Sequence, residues 1–202
     1  MPDNIVWLLE RAGVLLLIAA LGTCMGTLLT RFRGSRAIAA SLLVILSLIP
    51  IGNVSGFIFI YSVVGPLSTA TIIGCIYLMG LMLGFLPPPS RYSMLMVTGL
   101  LAVLGLVLYP GAIGLLPWDP YRMGFGGAVL PAVLAVVALA AGAANLIFVS
   151  LWIAASAAGW QLELFVSKNL WDYVIDPLAW LASLLVFATA AIRGIMRQGE
   201  LG

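Results

Sequence analysis

The sequence predicts an all-α fold: a polytopic integral membrane protein built as a bundle of about six transmembrane helices with short loops. Of its 202 residues, 63% are hydrophobic and only 8% are charged, and the mean hydropathy is +1.20. Soluble domains carry about 25% charged residues, so this composition does not suit a water-exposed surface. The apolar residues form continuous runs, whereas membrane β-barrels show alternation. We expect one transmembrane domain over residues 1–202.

The predicted spans follow from the length of the apolar runs. A helix needs about 20 apolar residues to cross a hydrocarbon core roughly 30 Å thick. Nine of the twelve tryptophans and tyrosines, residues that favour the headgroup region, fall at the predicted helix ends. The six predicted spans are residues 12–30, 37–51, 68–86, 92–109, 128–159 and 177–192.

Arginines predict the orientation, because cytoplasmic loops carry an excess of basic residues. The cluster that follows the first span consists of Arg31, Arg33 and Arg36. It predicts a cytoplasmic loop and places the N-terminus outside. With six spans, Arg193 and Arg197 fall outside and conflict with this rule. Either the C-terminus is an exception, or the helix count is off by one, with residues 37–86 as the suspect stretch.

Several function classes find no support in the composition. The chain has no histidine, the commonest general base and transition-metal ligand. Its basic residues are scattered, so we expect no nucleic-acid binding. Cys24 and Cys75 lie in apolar runs and are predicted to be packed thiols. All seven acids lie outside the predicted helix centres, which argues against a proton-coupled pump or an intramembrane acid–base enzyme. We expect no cofactor and no metal.

The first candidate site lies in residues 110–127, which contain Trp118-Asp119-Pro120-Tyr121-Arg122. As a functional site, Asp119 and Arg122 would form the lip of an outward-facing pocket that contacts a headgroup or sugar. The residue types favour a simpler interpretation, in which Asp before Pro starts a turn and Arg122 snorkels or pairs locally with Asp119.

The second candidate is the segment 161–176, QLELFVSKNLWDYVID. Its apolar residues fall near one face at helical spacing, and Lys168 and Asp172 have the spacing of an ion pair one helical turn apart. We therefore predict an amphipathic helix that lies in the interface or offers an edge to a membrane-protein partner. Asp176 before Pro177 predicts the N-cap of the last helix.

Two further features concern the helices themselves. Residues 53–71 are either a broken stretch beside a transporter cavity or, as favoured, an outer loop that ends with Ser68 capping the third helix. Asn145 is the strongly polar residue deep in the fifth predicted helix, where we expect an interhelical hydrogen bond rather than a pore. Small residues, including the Gly22/Gly26 pair, predict close helix packing within the chain rather than homodimerisation.

These observations leave three functional hypotheses. The leading one is a non-catalytic accessory or scaffolding subunit of a bacterial envelope complex. The alternatives are a small carrier or channel for a lipid-linked or weakly polar solute, and a lipid-modifying enzyme that uses Asp119, Arg122 or the Asp172/Asp176 pair. Arginine outnumbers lysine eight to one, a bias typical of GC-rich bacterial genomes, so we expect the bacterial inner membrane.

Overall fold

The computed structural model describes residues 3–199, and this part of the chain is almost entirely helical. A two-stranded antiparallel hairpin, β1 (Pro50–Ile51) and β2 (Val54–Ser55), interrupts the helices. A short 3-10 helix covers Pro120–Gly124. The α-helices are α1 (Asp3–Leu29), α2 (Arg33–Leu48), α3 (Gly56–Val64), α4 (Thr69–Leu83), α5 (Arg91–Ala112), α6 (Val129–Ala143), α7 (Ile147–Gln161), α8 (Leu170–Val174) and α9 (Pro177–Gly199).

By length and composition, α1 and α5 are the two helices in residues 3–199 that are able to cross a membrane. Shorter apolar helices accompany them over Thr69–Leu83, Val129–Ala143, Ile147–Gln161 and Pro177–Ala190. Large apolar side chains are exposed on these helices, including Leu28 (87%) on α1 and Leu139 (75%) on α6. Exposed apolar surface of this extent is not usual for a soluble monomer.

The predicted fifth span, residues 128–159, is wrong as a single helix. The structure divides it into α6 and α7, which form a hairpin around Asn145. Asn145 adopts a left-handed conformation with φ 58°, and the Leu146 N–H donates to the Ala141 carbonyl at 2.8 Å. This is a Schellman helix end, in which the left-handed position suits glycine or asparagine. The sequence did not indicate this turn, because the residues on both sides of Asn145 are apolar. One long buried helix and a hairpin of two helices have the same composition.

Other predicted helix ends shift by a few residues. α1 begins at Asp3, nine residues before the predicted start, and α5 continues through Pro110 to Ala112. Ser68 caps α4 as predicted, because its hydroxyl accepts a hydrogen bond from the Thr71 N–H. The loop prediction for residues 53–71 missed α3, which Ser55 caps.

The helices turn at two opposite ends of the bundle. The turns α1–α2, α4–α5 and α6–α7 lie at one end, which we call the arginine end because it carries Arg31, Arg33, Arg36 and Arg91. There the Arg36 guanidinium donates to the Met82 carbonyl at the end of α4. Residues 49–68, 113–128 and 162–176, with the first turns of α1, form the acidic end. It holds every acidic side chain that the structure describes, namely Glu10, Asp119, Glu163, Asp172 and Asp176.

The Gly22/Gly26 pair packs α1 against α2, as predicted. A Cβ atom on Gly22 would lie 2.7 Å from the Ala40 Cα, and one on Gly26 would lie 2.8 Å from the Arg36 Cα. The two helix backbones are therefore too close for any side chain at these positions. The contact is within one chain, which is the interpretation that the sequence favoured.

The interfacial amphipathic helix predicted for residues 161–176 does not form. Gln161 ends α7, and residues 162–169 are not helical. The five residues of α8 form the helix that lies wholly within this segment. Phe165 and Tyr173 stack at 4.5 Å between ring centroids within the main core, whereas Leu162 and Val166 are exposed. The prediction placed these four residues on one face by helical periodicity. The chain is not helical between residues 162 and 169, so that periodicity does not apply. Lys168 and Asp172 also lose their helical spacing.

Candidate functional site

Asp176 joins two helices at the acidic end. It is 7% exposed, and its carboxylate accepts hydrogen bonds from the Ala179 N–H at 2.7 Å and the Ser68 N–H at 2.8 Å. The first bond caps α9, as predicted, and the second fixes the residue that caps α4. The donors are backbone N–H groups at the starts of two helices, where positive partial charge favours a carboxylate.

Hydroxyl groups extend this junction towards α7. The Thr69 hydroxyl contacts both the Ser156 hydroxyl and the Tyr173 carbonyl, and the Ser156 hydroxyl lies 3.1 Å from the same carbonyl. Ser156 is fully buried, and Tyr173 belongs to α8. These polar groups satisfy one another in the core, so they connect α4, α7 and α8 without an unpaired donor.

Tyr121 connects two of the predicted site residues. Its backbone N–H donates to the Asp119 carboxylate at 2.9 Å, and its hydroxyl lies 3.0 Å from each oxygen of Asp172. The Ser167 hydroxyl also donates to Asp172. Burial and the nearby Asp172 carboxylate raise the pKa of Tyr121 to about 12, so this hydroxyl keeps its proton and remains a donor at neutral pH.

Glu10 is a site residue that the sequence interpretation missed. It is 5% exposed, and its carboxylate accepts from the Val166 N–H at 2.8 Å and the Tyr61 hydroxyl at 3.1 Å. Burial and the Glu10 carboxylate raise the pKa of the Tyr61 hydroxyl. Beside it, the Arg11 guanidinium stacks over the Trp7 ring at 3.3 Å from the centroid, a cation–π contact. The feature of the sequence that indicates this site is the charged pair Glu10-Arg11 beside Trp7. All three residues precede the predicted first span, which begins at residue 12.

Arg122, Lys168 and Asn145 do not join these networks. Arg122 and Lys168 are exposed at the acidic end, whereas Asn145 is exposed in the α6–α7 turn at the arginine end. The predicted interhelical hydrogen bond of Asn145 would require a position inside a helix, and that position does not exist. The six predicted site residues therefore do not converge on one site.

An open cavity of about 440 Å³ lies beside Lys168. The rim is formed by residues of the exposed loop after α7 and by residues just before α6. The lining residues are Phe125, Gly126, Trp160, Gln161, Glu163, Ser167 and Lys168. The Trp160 indole N–H donates to the Lys168 carbonyl at 2.9 Å and holds this loop against α7. The cavity is therefore a feature of a fixed loop with both charged and aromatic groups at its rim.

A different cavity lies between α4, α5 and α7, nearer the arginine end. It has a volume of about 190 Å³, and apolar side chains such as Met94, Leu101 and Trp152 line it. A neighbouring cavity of about 370 Å³ reaches the α4–α5 and α6–α7 turns. It shares four lining residues with the apolar cavity, namely Tyr77, Pro89, Ser93 and Phe148. The two cavities are therefore adjacent to each other.

Comparison of the chain with protein-family models, curated proteins and solved structures returned no match. Within residues 3–199, no three carboxylate or thiol side chains come together as a metal site. The carboxylates of Glu10, Asp172 and Asp176 accept two or more hydrogen bonds each from this chain.

Proposed function

We propose that this protein is a non-catalytic scaffolding subunit of a bacterial inner-membrane complex, with seven membrane-spanning segments. The observation that carries the proposal is that three carboxylates, of which Glu10 and Asp176 are buried, accept hydrogen bonds from the chain itself. Glu10, Asp172 and Asp176 each accept hydrogen bonds that tie loops and helix starts together. A general acid or base, or a metal ligand, needs a free lone pair directed at its substrate. These carboxylates are directed into the chain, which supports a structural function over a lipid-modifying enzyme.

The seven segments of the proposed topology are α1, α2, α4, α5, α6, α7 and α9. The extra span comes from the division of residues 128–159 into two helices. It does not come from residues 37–86, which was the suspect stretch in the sequence-based prediction. An odd number of spans places Arg193 and Arg197 on the side of the arginine end. Six arginines then lie on the cytoplasmic side, and Arg11, Arg122 and Lys168 lie outside. This count removes the conflict in the sequence-based orientation.

Seven spans require that the short helices cross the bilayer with some local thinning. α6 and α7 have 15 residues each, a length of about 22 Å at 1.5 Å per residue. Local thinning of the bilayer compensates for such a deficit at a cost of a fraction of a kcal/mol per Å. Exposed apolar side chains such as Val136 (66%) and Leu151 (59%) then contact lipid.

Reporter fusions test this topology. A fluorescent protein fused after residue 199, or inserted in the turn at residues 87–90, should fold in the cytoplasm and give signal. The same reporter inserted at Gly126 should give none, and alkaline phosphatase should show the opposite pattern. An active phosphatase after residue 199, with Gly126 also outside, would mean an even number of crossings between these two positions instead of the proposed three, and would contradict the proposal.

The exposed loop 161–168 is the proposed contact with a membrane-protein partner. Its backbone is held by Glu10, through the Val166 N–H, and by Trp160, through the Lys168 carbonyl. Val166 is nevertheless 74% exposed and Leu162 59% exposed. Apolar side chains displayed on a fixed backbone lose little conformational entropy on binding, which favours association.

Copurification from native membranes in gentle detergent tests the scaffold. We expect a partner to copurify with the wild-type chain and to be lost from Val166→Glu. Phe85→Glu, at a residue 79% exposed at the arginine end, is the matched control and should retain the partner. A wild-type chain that stays alone under these conditions would contradict the scaffolding function.

A carrier for a lipid-linked or weakly polar solute is the second candidate. The apolar cavity between α4, α5 and α7, with the adjacent cavity at the arginine end, favours it. Transport requires a path to the other side as well. Uptake of a solute into proteoliposomes that contain only this chain would support the carrier over the scaffold.

A further inference from the structure

From the two adjacent cavities beside α5, we infer that the protein holds a single phospholipid, with one acyl chain in the cleft between α4, α5 and α7 and its anionic headgroup at the arginine end. The inference rests on the membrane insertion in the proposed function, but not on the scaffolding. The cleft is the cavity of about 190 Å³, and we call the adjacent cavity of about 370 Å³ the vestibule.

The walls of the cleft suit hydrocarbon. Polar groups along it are already bonded within the chain: Thr98 donates to the Met94 carbonyl, and the Trp152 indole N–H donates to the Val174 carbonyl. Tyr77 donates to the Pro87 carbonyl, so its ring, and not its hydroxyl, faces Phe148. Apart from the Ser93 hydroxyl, which lies where the cleft meets the vestibule, these polar groups need no partner from the ligand. Burial of methylene groups in the cleft is favourable.

The size of the cleft decides between an acyl chain and a helix of another protein. Its lining runs from Ser93 to Leu101 along α5, a length of about 12 Å at 1.5 Å per residue. A helix of that length and about 10 Å in diameter fills roughly 900 Å³. All the free space between the atoms that line the cleft, including its open side, is about 690 Å³. This is less than the volume of the helix, so a single hydrocarbon chain is the better occupant.

The vestibule places polar groups at the depth of a headgroup. Ser90, Ser93 and Asn145 line it, together with the prolines of the α4–α5 turn. Arg91 follows directly in the chain, and the other arginines of this end surround the same side of the bundle. Every acidic side chain that the structure describes lies at the opposite end, so the charge at this mouth favours an anionic headgroup on the cytoplasmic leaflet.

Native mass spectrometry of the full-length chain tests the inference with an equal mixture of phosphatidylglycerol and phosphatidylcholine. We expect one bound phospholipid, with phosphatidylglycerol preferred about fivefold, the effect of one arginine near an anionic surface. Gly74→Leu should lower the bound fraction at least about tenfold, because the new side chain displaces methylene groups from the cleft. A Cβ on Gly74 meets no atom within 4 Å, so the new side chain begins in open space.

Two further variants separate the tail from the headgroup. Ala135→Leu adds the same kind of bulk on an exposed face of α6 and should bind as the wild type does. Asn145→Asp keeps a residue that tolerates the left-handed backbone, and its negative charge should remove the preference for phosphatidylglycerol. A Gly74→Leu protein that binds as much phospholipid as Ala135→Leu would overturn the inference.

A wild-type measurement covers the case in which Gly74→Leu fails to fold. A phosphatidylglycerol with a photoreactive group on its acyl chain should label peptides from residues 89–101 and 147–152, and labelling spread evenly over the helices would overturn the inference. A membrane-embedded chain that carries no phospholipid also overturns it and leaves the scaffold standing. A chain absent from the membrane fraction overturns both.

Discussion

Asp176 satisfies the starts of two helices with one carboxylate. Its oxygens accept from the Ser68 N–H and the Ala179 N–H, groups that have no carbonyl partner within their own helices. The sequence was sufficient to predict the local bond, because Asp before Pro177 is a standard helix start. It was not sufficient for the bond to Ser68, 108 residues away, because a local pattern carries no information about which helix end lies opposite.

Replacement of Asp176 by Asn should lower the free energy of unfolding by about 1–3 kcal/mol, because an amide keeps one acceptor and leaves a buried N–H unpaired. Unfolding of the purified chain in detergent, followed by circular dichroism, measures the loss. Asp119→Asn is the matched control, since Asp119 is half-buried and caps only a 3-10 helix, and its loss should be smaller. Equal losses from the two variants would contradict the bridging function of Asp176.

Tyr121 should make stability fall at alkaline pH. Its pKa is raised to about 12 in the folded chain by burial and by Asp172, against about 10 in an unfolded chain. Below pH 10 both states hold the proton, and the stabilisation is complete. Between about pH 10 and 12 the unfolded state loses the proton first, so stability falls as pH rises. Tyr121→Phe should flatten this part of the profile, as measured by unfolding at a series of pH values.

At the scale of helices, α4, α5, α6 and α7 are all followed by a residue in the left-handed conformation, but only two of these four residues are glycines. Gly84 and Gly114 occupy the left-handed position after α4 and α5, whereas Asn145 and Glu163 occupy it after α6 and α7. Glycine is the usual residue there because it has no Cβ. The ends of α6 and α7 were thus not visible in the sequence, and this is why two elements were misassigned: the long fifth span and the amphipathic helix that was expected to follow it.

The α1–α2 contact gives a test at this scale. Gly22→Ala should destabilise the chain by about 1–3 kcal/mol, because the added methyl group forces the backbones of α1 and α2 apart. Gly34→Ala makes the same chemical change where a Cβ meets no atom within 4 Å and should leave stability unchanged or slightly raised. Thermal unfolding of both proteins, followed by circular dichroism, measures the difference. If Gly22→Ala is as stable as Gly34→Ala, the close helix contact does not exist.

At the scale of the whole molecule, charge and apolar surface are distributed along one axis. Arg31, Arg33, Arg36 and Arg91 lie at one end, and the described acids lie at the other with Arg11, Arg122 and Lys168. Exposed apolar side chains cover the helices between the two ends. A bilayer solvates a molecule of this kind along its middle and leaves both ends in water.

The chain should therefore stay in the membrane fraction after washes with high salt and with alkaline carbonate, which remove proteins bound by charge alone. Only detergent should release it, since burial of apolar surface in lipid does not depend on ionic strength. Immunoblots of the pellet and supernatant after each wash provide the measurement. Release by either wash would mean that the apolar helices do not span the bilayer.

The helical class, the apolar surface and the clustering of arginines follow from the sequence alone, because composition and the length of apolar runs act on every residue independently of its partners. The pairing of Glu10 with Tyr61 and Val166, the junction at Asp176 and the turn at Asn145 depended on the tertiary structure. Each of them joins residues that are distant in the chain or depends on a backbone angle that several residue types adopt. Hydrophobicity determines that the helices form and what surrounds them, whereas hydrogen bonds between specific atoms determine where they stop and which of them meet.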